Sequence, residues 1–105
     1  MNVVPKRIVD KHIMALLEEY KGRGLRFGDF FKTFAKRRMF HNQSDIWRNL
    51  LFLLDQKKIV KVRGDTRNFY GIPLTRKDGS KYLIINQGFE EEEIEVEEVC
   101  KPKEP

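Results

Sequence analysis

Residues 44–60, SDIWRNLLFLLDQKKIV, contain the change of period that decides the fold. Ile46, Trp47, Leu50, Leu51 and Leu54 recur at spacings of three and four, which predicts a helix from Ser44 to about Lys57. Ser44 is a good N-cap for it, and Asp45 favours its first turn. On this reading Asp45, Arg48 and Asn49 point away from the buried face. Phe52 and Leu53 widen the apolar stripe, so they are expected to pack under the following hairpin or against a second subunit. At Ile59 the period drops to two, and Ile59-Val60-Lys61-Val62-Arg63 reads as a strand with Lys61 and Arg63 on one face.

Downstream, Gly64-Asp65-Thr66 marks a turn, and a return strand is expected from Arg67 to about Leu74. A further turn at Lys77-Asp78-Gly79-Ser80 leads into an extra strand over Lys81-Tyr82-Leu83-Ile84-Ile85-Asn86. Upstream, residues 39–43 are a short polar connection from a second helix over about residues 28–38. Phe30, Phe31, Phe34 and Ala35 form the apolar stripe of that helix, while Lys36, Arg37 and Arg38 fall in its last turn, where cations complement the helix dipole. Leu25-Arg26-Phe27 is too short for a helix and reads as extended. Before it, Ile8, Val9, His12, Ile13, Leu16, Leu17 and Tyr20 mark an amphipathic helix of about four turns. Pro5 suits its first turn, and Gly22 and Gly24 stop it. The expected fold class is therefore α+β: three helices followed by a β-hairpin and an extra strand.

Three helices and a hairpin, with only about five residues between helices two and three, resemble the winged helix-turn-helix superfamily of DNA-binding domains. The resemblance covers roughly residues 6–75. Residues 44–60 look like the recognition helix and the start of the wing, and Arg67-Asn68-Phe69-Tyr70-Gly71-Ile72-Pro73-Leu74-Thr75 looks like the returning wing strand. Two departures are visible. Many relatives have glycine where Lys58 stands, so the helix is expected to end without an αL cap, and many continue into a fourth helix where Tyr82 to Asn86 looks extended.

The resemblance implies that the third helix enters the major groove of double-stranded DNA. Gln43, Ser44, Asp45, Arg48 and Asn49 would then stand at the bases, with Arg48 suited to guanine and Asn49 to adenine. Arg63, Arg67 and Asn68 at the wing tip, and Lys36, Arg37 and Arg38 before the turn, would take phosphates. The implied function is sequence-specific DNA binding by a transcriptional regulator, with a homodimer extending the short site one reading head covers. The alternative is a winged-helix protein-interaction module in a transcription or replication assembly, with Phe52, Leu53 and the acidic C-terminus as partner surfaces.

Charge distribution agrees with a polyanion partner. Residues 1–88 hold 19 Lys and Arg against 8 Asp and Glu, or +11, whereas residues 89–105 hold 2 Lys against 8 Glu, or −6. The expected division is a basic domain over residues 1–88 and an acidic, flexible tail over residues 89–105, with Ile94, Val96 and Val99 leaving a docked strand or helix open.

At 105 residues there is room for one core and no separate catalytic domain, and eight Phe, three Tyr and one Trp supply that core. With no apolar run of about 18 residues and no signal-peptide pattern, the chain is expected to be intracellular, cytoplasmic or, in a eukaryote, nuclear, without a membrane partner. His12, His41 and Cys100 lack metal-ligand spacing, and Ser44 near His41 has no third group to make it a nucleophile. Gly22, Gly24 and Gly28 are wrongly spaced for a dinucleotide fingerprint. No metal, no cofactor and no enzymatic activity are expected. Trp47, Phe30, Phe31 and Phe34 stand at helical spacing and are read as core rather than as stacking platforms.

Overall fold

The computed structural model describes residues 6–88 and 90–96, with side chains from Val9 onward. Three helices come first: α1 (Lys6–Glu19), α2 (Phe27–Lys36) and α3 (Gln43–Asp55). Five strands follow: β1 (Val60–Arg63), β2 (Asn68–Gly71), β3 (Leu74–Thr75), β4 (Lys81–Asn86) and β5 (Glu91–Glu95). The class is α+β. β1 and β2 form an antiparallel hairpin, and β3, β4 and β5 form a second antiparallel sheet in that order.

The main core lies between the helices and one face of the hairpin. Ile13, Leu16 and Leu17 of α1, Phe30 and Phe34 of α2, Ile46, Leu50 and Leu53 of α3, and Tyr70 of β2 are all buried in it. A second core lies on the opposite face of the hairpin, where Val62 and Phe69 meet Leu83 and Ile85 of β4. Each fully buried side chain of this size stabilises the fold by about 1.5–3 kcal/mol before conformational entropy is subtracted. The hairpin is thus covered on both sides.

The segment between α1 and α2 ties the layers together. Leu25 exchanges two backbone hydrogen bonds of 2.8 Å with Tyr70 of β2. Just before it, Gly24 N–H donates to the Ile84 carbonyl at 2.9 Å and Ile84 N–H donates to the Gly22 carbonyl at 2.7 Å. This passage is too tight for side chains. A Cβ on Gly24 would stand 2.9 Å from both Ile85 and Phe69, and one on Gly71 would stand 2.6 Å from the Arg23 carbonyl oxygen.

Several expected boundaries move. α2 starts at Phe27, and Asp29 fixes the start by accepting the Arg26 backbone N–H at 2.9 Å. α3 is capped by Asn42 rather than Ser44: the Asn42 Oδ1 accepts both the Ser44 backbone N–H at 3.1 Å and its hydroxyl at 2.9 Å. The return strand is interrupted at Ile72 and Pro73, since proline has no N–H to continue the ladder, and β3 joins the second sheet. The acidic block does not begin a tail. Residues 91–95 pair along β4, with Ile94 opposite Leu83, and Ile94 and Val96 pack on the second core. Val99 and Cys100 lie outside the described residues.

The ends of α2 and α3 also correct the expectation of a missing αL cap. Arg38 and Lys57 both have φ of +60°, the left-handed conformation that glycine usually supplies. After α3 the Lys57 N–H donates to the Leu54 carbonyl and the Lys58 N–H to the Leu53 carbonyl, both at 3.0 Å; after α2, Arg38 and Met39 bond Ala35 and Phe34 in the same way. The αL position falls one residue before Lys58, and a cation occupies it.

Two substitutions should therefore move stability in opposite directions in denaturant titrations. Gly71→Ala forces a carbon against a backbone carbonyl and should cost about 1–3 kcal/mol. Lys57→Gly relieves a left-handed lysine and should gain about 1 kcal/mol. A neutral Gly71→Ala would show that the linker and β2 are less closely apposed than described.

Candidate nucleic-acid interface

The candidate surface is built by the N-terminal half of α3, the start of α2 and one face of the hairpin. β1 and β2 pair so that Lys61 stands opposite Tyr70 and Arg63 opposite Asn68. These four side chains share a face because alternate residues of a strand point the same way. Tyr70 closes the base of this face against α2 and α3, its ring edge-on to Phe30 and to Trp47 at centroid separations of 6.5 and 6.4 Å. Burial raises the Tyr70 hydroxyl above its ordinary pKa, while a hydrogen bond with Asn68 pulls the other way.

A groove of about 670 Å³ runs between these elements, lined by Arg26, Phe27 and Gly28 of the α2 start, Gln43, Ser44 and Trp47 of α3, and Arg67, Asn68 and Tyr70 of the hairpin. Trp47 was expected in the core but is 42% exposed here, with its ring edge-on to Phe27 at 5.8 Å. Its aromatic neighbours Phe27 and Tyr70 hold the indole while leaving part of it exposed.

The expected site residues separate into three groups. Gln43, Ser44, Arg48, Arg63 and Arg67 are exposed and Asp45 and Asn68 are half-buried, so all seven are accessible, and Gln43, Ser44, Arg67 and Asn68 line the groove itself. Asn49 does not: it is only 4% exposed, and its amide donates to the Asp45 carbonyl at 2.7 Å. Its place inside the turn of the helix removes it from any adenine edge. Arg37 is engaged too, because its guanidinium grips both oxygens of Glu19 at 2.8 and 2.9 Å and pins the end of α2 to α1. That pair holds the Glu19 carboxyl below its ordinary range. Lys36 and Arg38 are exposed beside it.

Acidic partners are unevenly shared. The alternate glutamates of β5 face Arg23 and Arg76: Glu91 bonds Arg23 at 2.6 Å, and Arg76 meets Glu93 at 2.9 Å and Glu95 at 3.7 Å. Arg76 also lies 4.1 Å over the Tyr82 ring. Among the described residues Arg48, Lys61, Arg63 and Arg67 form no ion pair within 4.0 Å with any acid. The acids of β5 are therefore taken up by Arg23 of the α1–α2 linker and Arg76 after β3, and the cations of α3 and the hairpin are left to solvent. The hairpin tip is nevertheless held, since the Gln87 side-chain oxygen accepts the Asp65 N–H.

The far half of α3 has another character. Leu51, expected in the buried stripe, is 45% exposed and Phe52 is 49% exposed, whereas Leu53 is buried in the core with Ile59 and Tyr70, as packing under the hairpin requires. Phe31 and Phe40 are exposed near the α2–α3 turn.

Sequence reading did not pair the two histidines. His12 Nδ1 and His41 Nε2 are 2.9 Å apart, joining α1 to the turn before α3. No third His, Cys, Asp or Glu completes a metal-binding group among the described residues, and no described helix is long and apolar enough to cross a membrane. Comparison of the chain with protein-family models, curated proteins and solved structures finds no match.

The histidine pair gives the stability of the fold a pH dependence. Burial, followed by the neighbouring His12, lowers the pKa of His41 below 6.5, so the unfolded chain binds the proton more readily than the folded one. Stability should fall as pH drops below about 6.5, and go on falling until the folded-state pKa is passed. Denaturant midpoints at pH 7.5 and 5.5 should differ in the wild type and differ less in His41→Phe. An equal difference in both would remove His41 from the account.

Proposed function

We propose that this chain is a winged helix-turn-helix domain that binds double-stranded DNA in a sequence-specific way, as regulators of transcription do. One observation carries the reading: Arg48 on α3 and Lys61, Arg63 and Arg67 on the hairpin lack acidic partners among the described residues, while the acids of β5 are taken up by Arg23 and Arg76. Unpaired cations flanking an exposed helix start are what a phosphate backbone needs on either side of a base-reading helix. The pairing of Leu25 with the returning strand, which sets the hairpin beside the helices, supports the winged form.

Readout in this proposal falls to the first turns of α3. Recognition helices present their N-terminal residues to base edges, and Gln43, Ser44 and Arg48 are the exposed polar side chains there. Arg48 supplies the bidentate fork that matches the N7 and O6 acceptors of guanine. With Asn49 turned inward, discrimination of adenine passes to Gln43, whose amide has the same donor and acceptor pair. Arg63 and Arg67 take phosphates, and Lys36 and Arg38 extend that contact beyond the turn.

A second reading has its own support. Leu51 and Phe52 are too exposed for a solvated helix face. They favour a protein contact, either a second copy of this chain in a DNA-bound homodimer or a partner within a transcription or replication assembly. The two readings use different halves of α3.

Titration of duplex DNA at several salt concentrations tests the main proposal. If about five phosphates are neutralised, log K should fall against log salt with a slope of roughly −4 to −5. Arg48→Ala should cost about 1–3 kcal/mol on a selected site and little on random duplex, whereas Arg63→Ala should weaken both alike. Salt-independent binding, or none at low salt, would favour the protein-interaction reading instead.

A further inference from the structure

We propose that the groove between α3 and the hairpin holds one unstacked nucleotide of the bound DNA, its base against the Trp47 indole and its phosphate at Arg67 and Arg26. This inference rests on the DNA-binding reading and adds a mode of engagement that a helix laid in an intact groove does not require. Three observations lead to it.

The first is the shape of the site. It is an open groove of about 670 Å³ between α3 and the hairpin, roomy enough for one nucleotide and accessible from outside. The second is the aromatic surface. Trp47 is 42% exposed on the groove wall although two aromatic rings are packed edge-on against it. An indole held by two perpendicular ring contacts and still partly open to solvent loses little freedom when a base stacks on its exposed part, and any base will serve because every base has a π-face.

The third is the arrangement of polar groups at the rim. Arg67 is exposed and has no acidic partner among the described residues. Arg26 is half-buried and oriented by Asp29, which receives its Nε and Nη2 at 3.3 Å each. Those bonds leave the Nη1 hydrogens available to a phosphate oxygen. Gln43 and Asn68 line the same hollow and offer amides to the hydrogen-bonding edge of a base. Aromatic wall, amide edge and guanidinium rim together match the three parts of a nucleotide.

Removing a base from the stack costs a few kcal/mol in paired DNA and least where it is already unpaired. The groove should therefore favour duplex with a single-nucleotide bulge over the same duplex fully paired. Trp47 is the only tryptophan of the chain, so its own emission reports occupancy. The experiment titrates full-length protein with end-labelled paired duplex, bulged duplex and single strand, reading anisotropy of the label and tryptophan emission in parallel.

Bulged duplex should bind about tenfold more tightly than paired duplex and quench Trp47 at the same midpoint as the anisotropy change. Trp47→Ala should weaken bulge binding about 5- to 150-fold, the range for loss of one base–aromatic stack, and abolish the preference for the bulge. Trp47→Phe keeps a ring against Phe27 and Tyr70, and should keep part of the preference with an unchanged melting temperature. Should Trp47→Ala fail to fold, the phenylalanine variant and the wild-type quench still decide the matter. Binding to both duplexes without quenching, or a bulge preference that survives loss of the aromatic ring, would overturn the nucleotide site while leaving the DNA-binding reading intact. Absence of DNA binding at low salt would overturn both, and quenching that follows protein concentration without DNA would identify Trp47 as a self-association contact instead.

Discussion

Phe69 and Tyr70 are consecutive residues of one strand, so their side chains leave on opposite faces, and the molecule is organised by covering both. Tyr70 closes the helical core and Phe69 the core beneath β4. An isolated two-stranded hairpin is marginal in water, and this one gains its stability from burial on each side. The α1–α2 linker completes the constraint. By bonding β2 through Leu25 and β4 through Gly22 and Gly24, it fixes the distance between the layers that the two cores must fill.

That constraint also sets the electrostatic character of the surface. One hairpin face is sealed by the second sheet; on the other, Tyr70 is buried against the helices while Lys61 and Arg63 stay exposed, and this face adjoins the start of α3. The acidic strand β5 is carried on the far side. Its glutamates engage Arg23 and Arg76, and its charged outer edge discourages pairing with another chain, a common protection for an edge strand. The acids of β5 are thus engaged by Arg23 and Arg76, away from the cations of α3 and the hairpin. The groove beside Trp47 opens on the basic side.

Much of this was legible in the residues. The three helices, the hairpin with Lys61 and Arg63 on one face, and the strand at residues 81–86 follow from the periods of their apolar residues. Errors arose where two patterns competed. In α3 the apolar stripe is too wide to define its own centre, yet at 100° per residue Asn49 stands only about 60° from Ile46 while Leu51 stands about 140° away. That geometry, applied strictly, would have placed Asn49 inside and Leu51 outside. The Ser44 hydroxyl suits a cap, but the Asn42 side chain two residues earlier suits it equally well and holds the position. The charge of β5 concealed its alternation, since only Ile94 and Val96 identify the inward face of a strand whose other residues are glutamates. The contact of His12 with His41 joins residues 29 apart, and no local pattern could announce it.

The central claim is that the start of α3 and the open face of the hairpin form a single DNA-contacting surface. Amide chemical-shift mapping with a short duplex addresses it directly, because every described backbone N–H reports at once. The account predicts that shifts cluster at residues 26–28, 43–48 and 61–70, with β5 and the Leu51–Phe52 half of α3 little changed. Shifts centred on Leu51 and Phe52, or on the acidic strand, would contradict it.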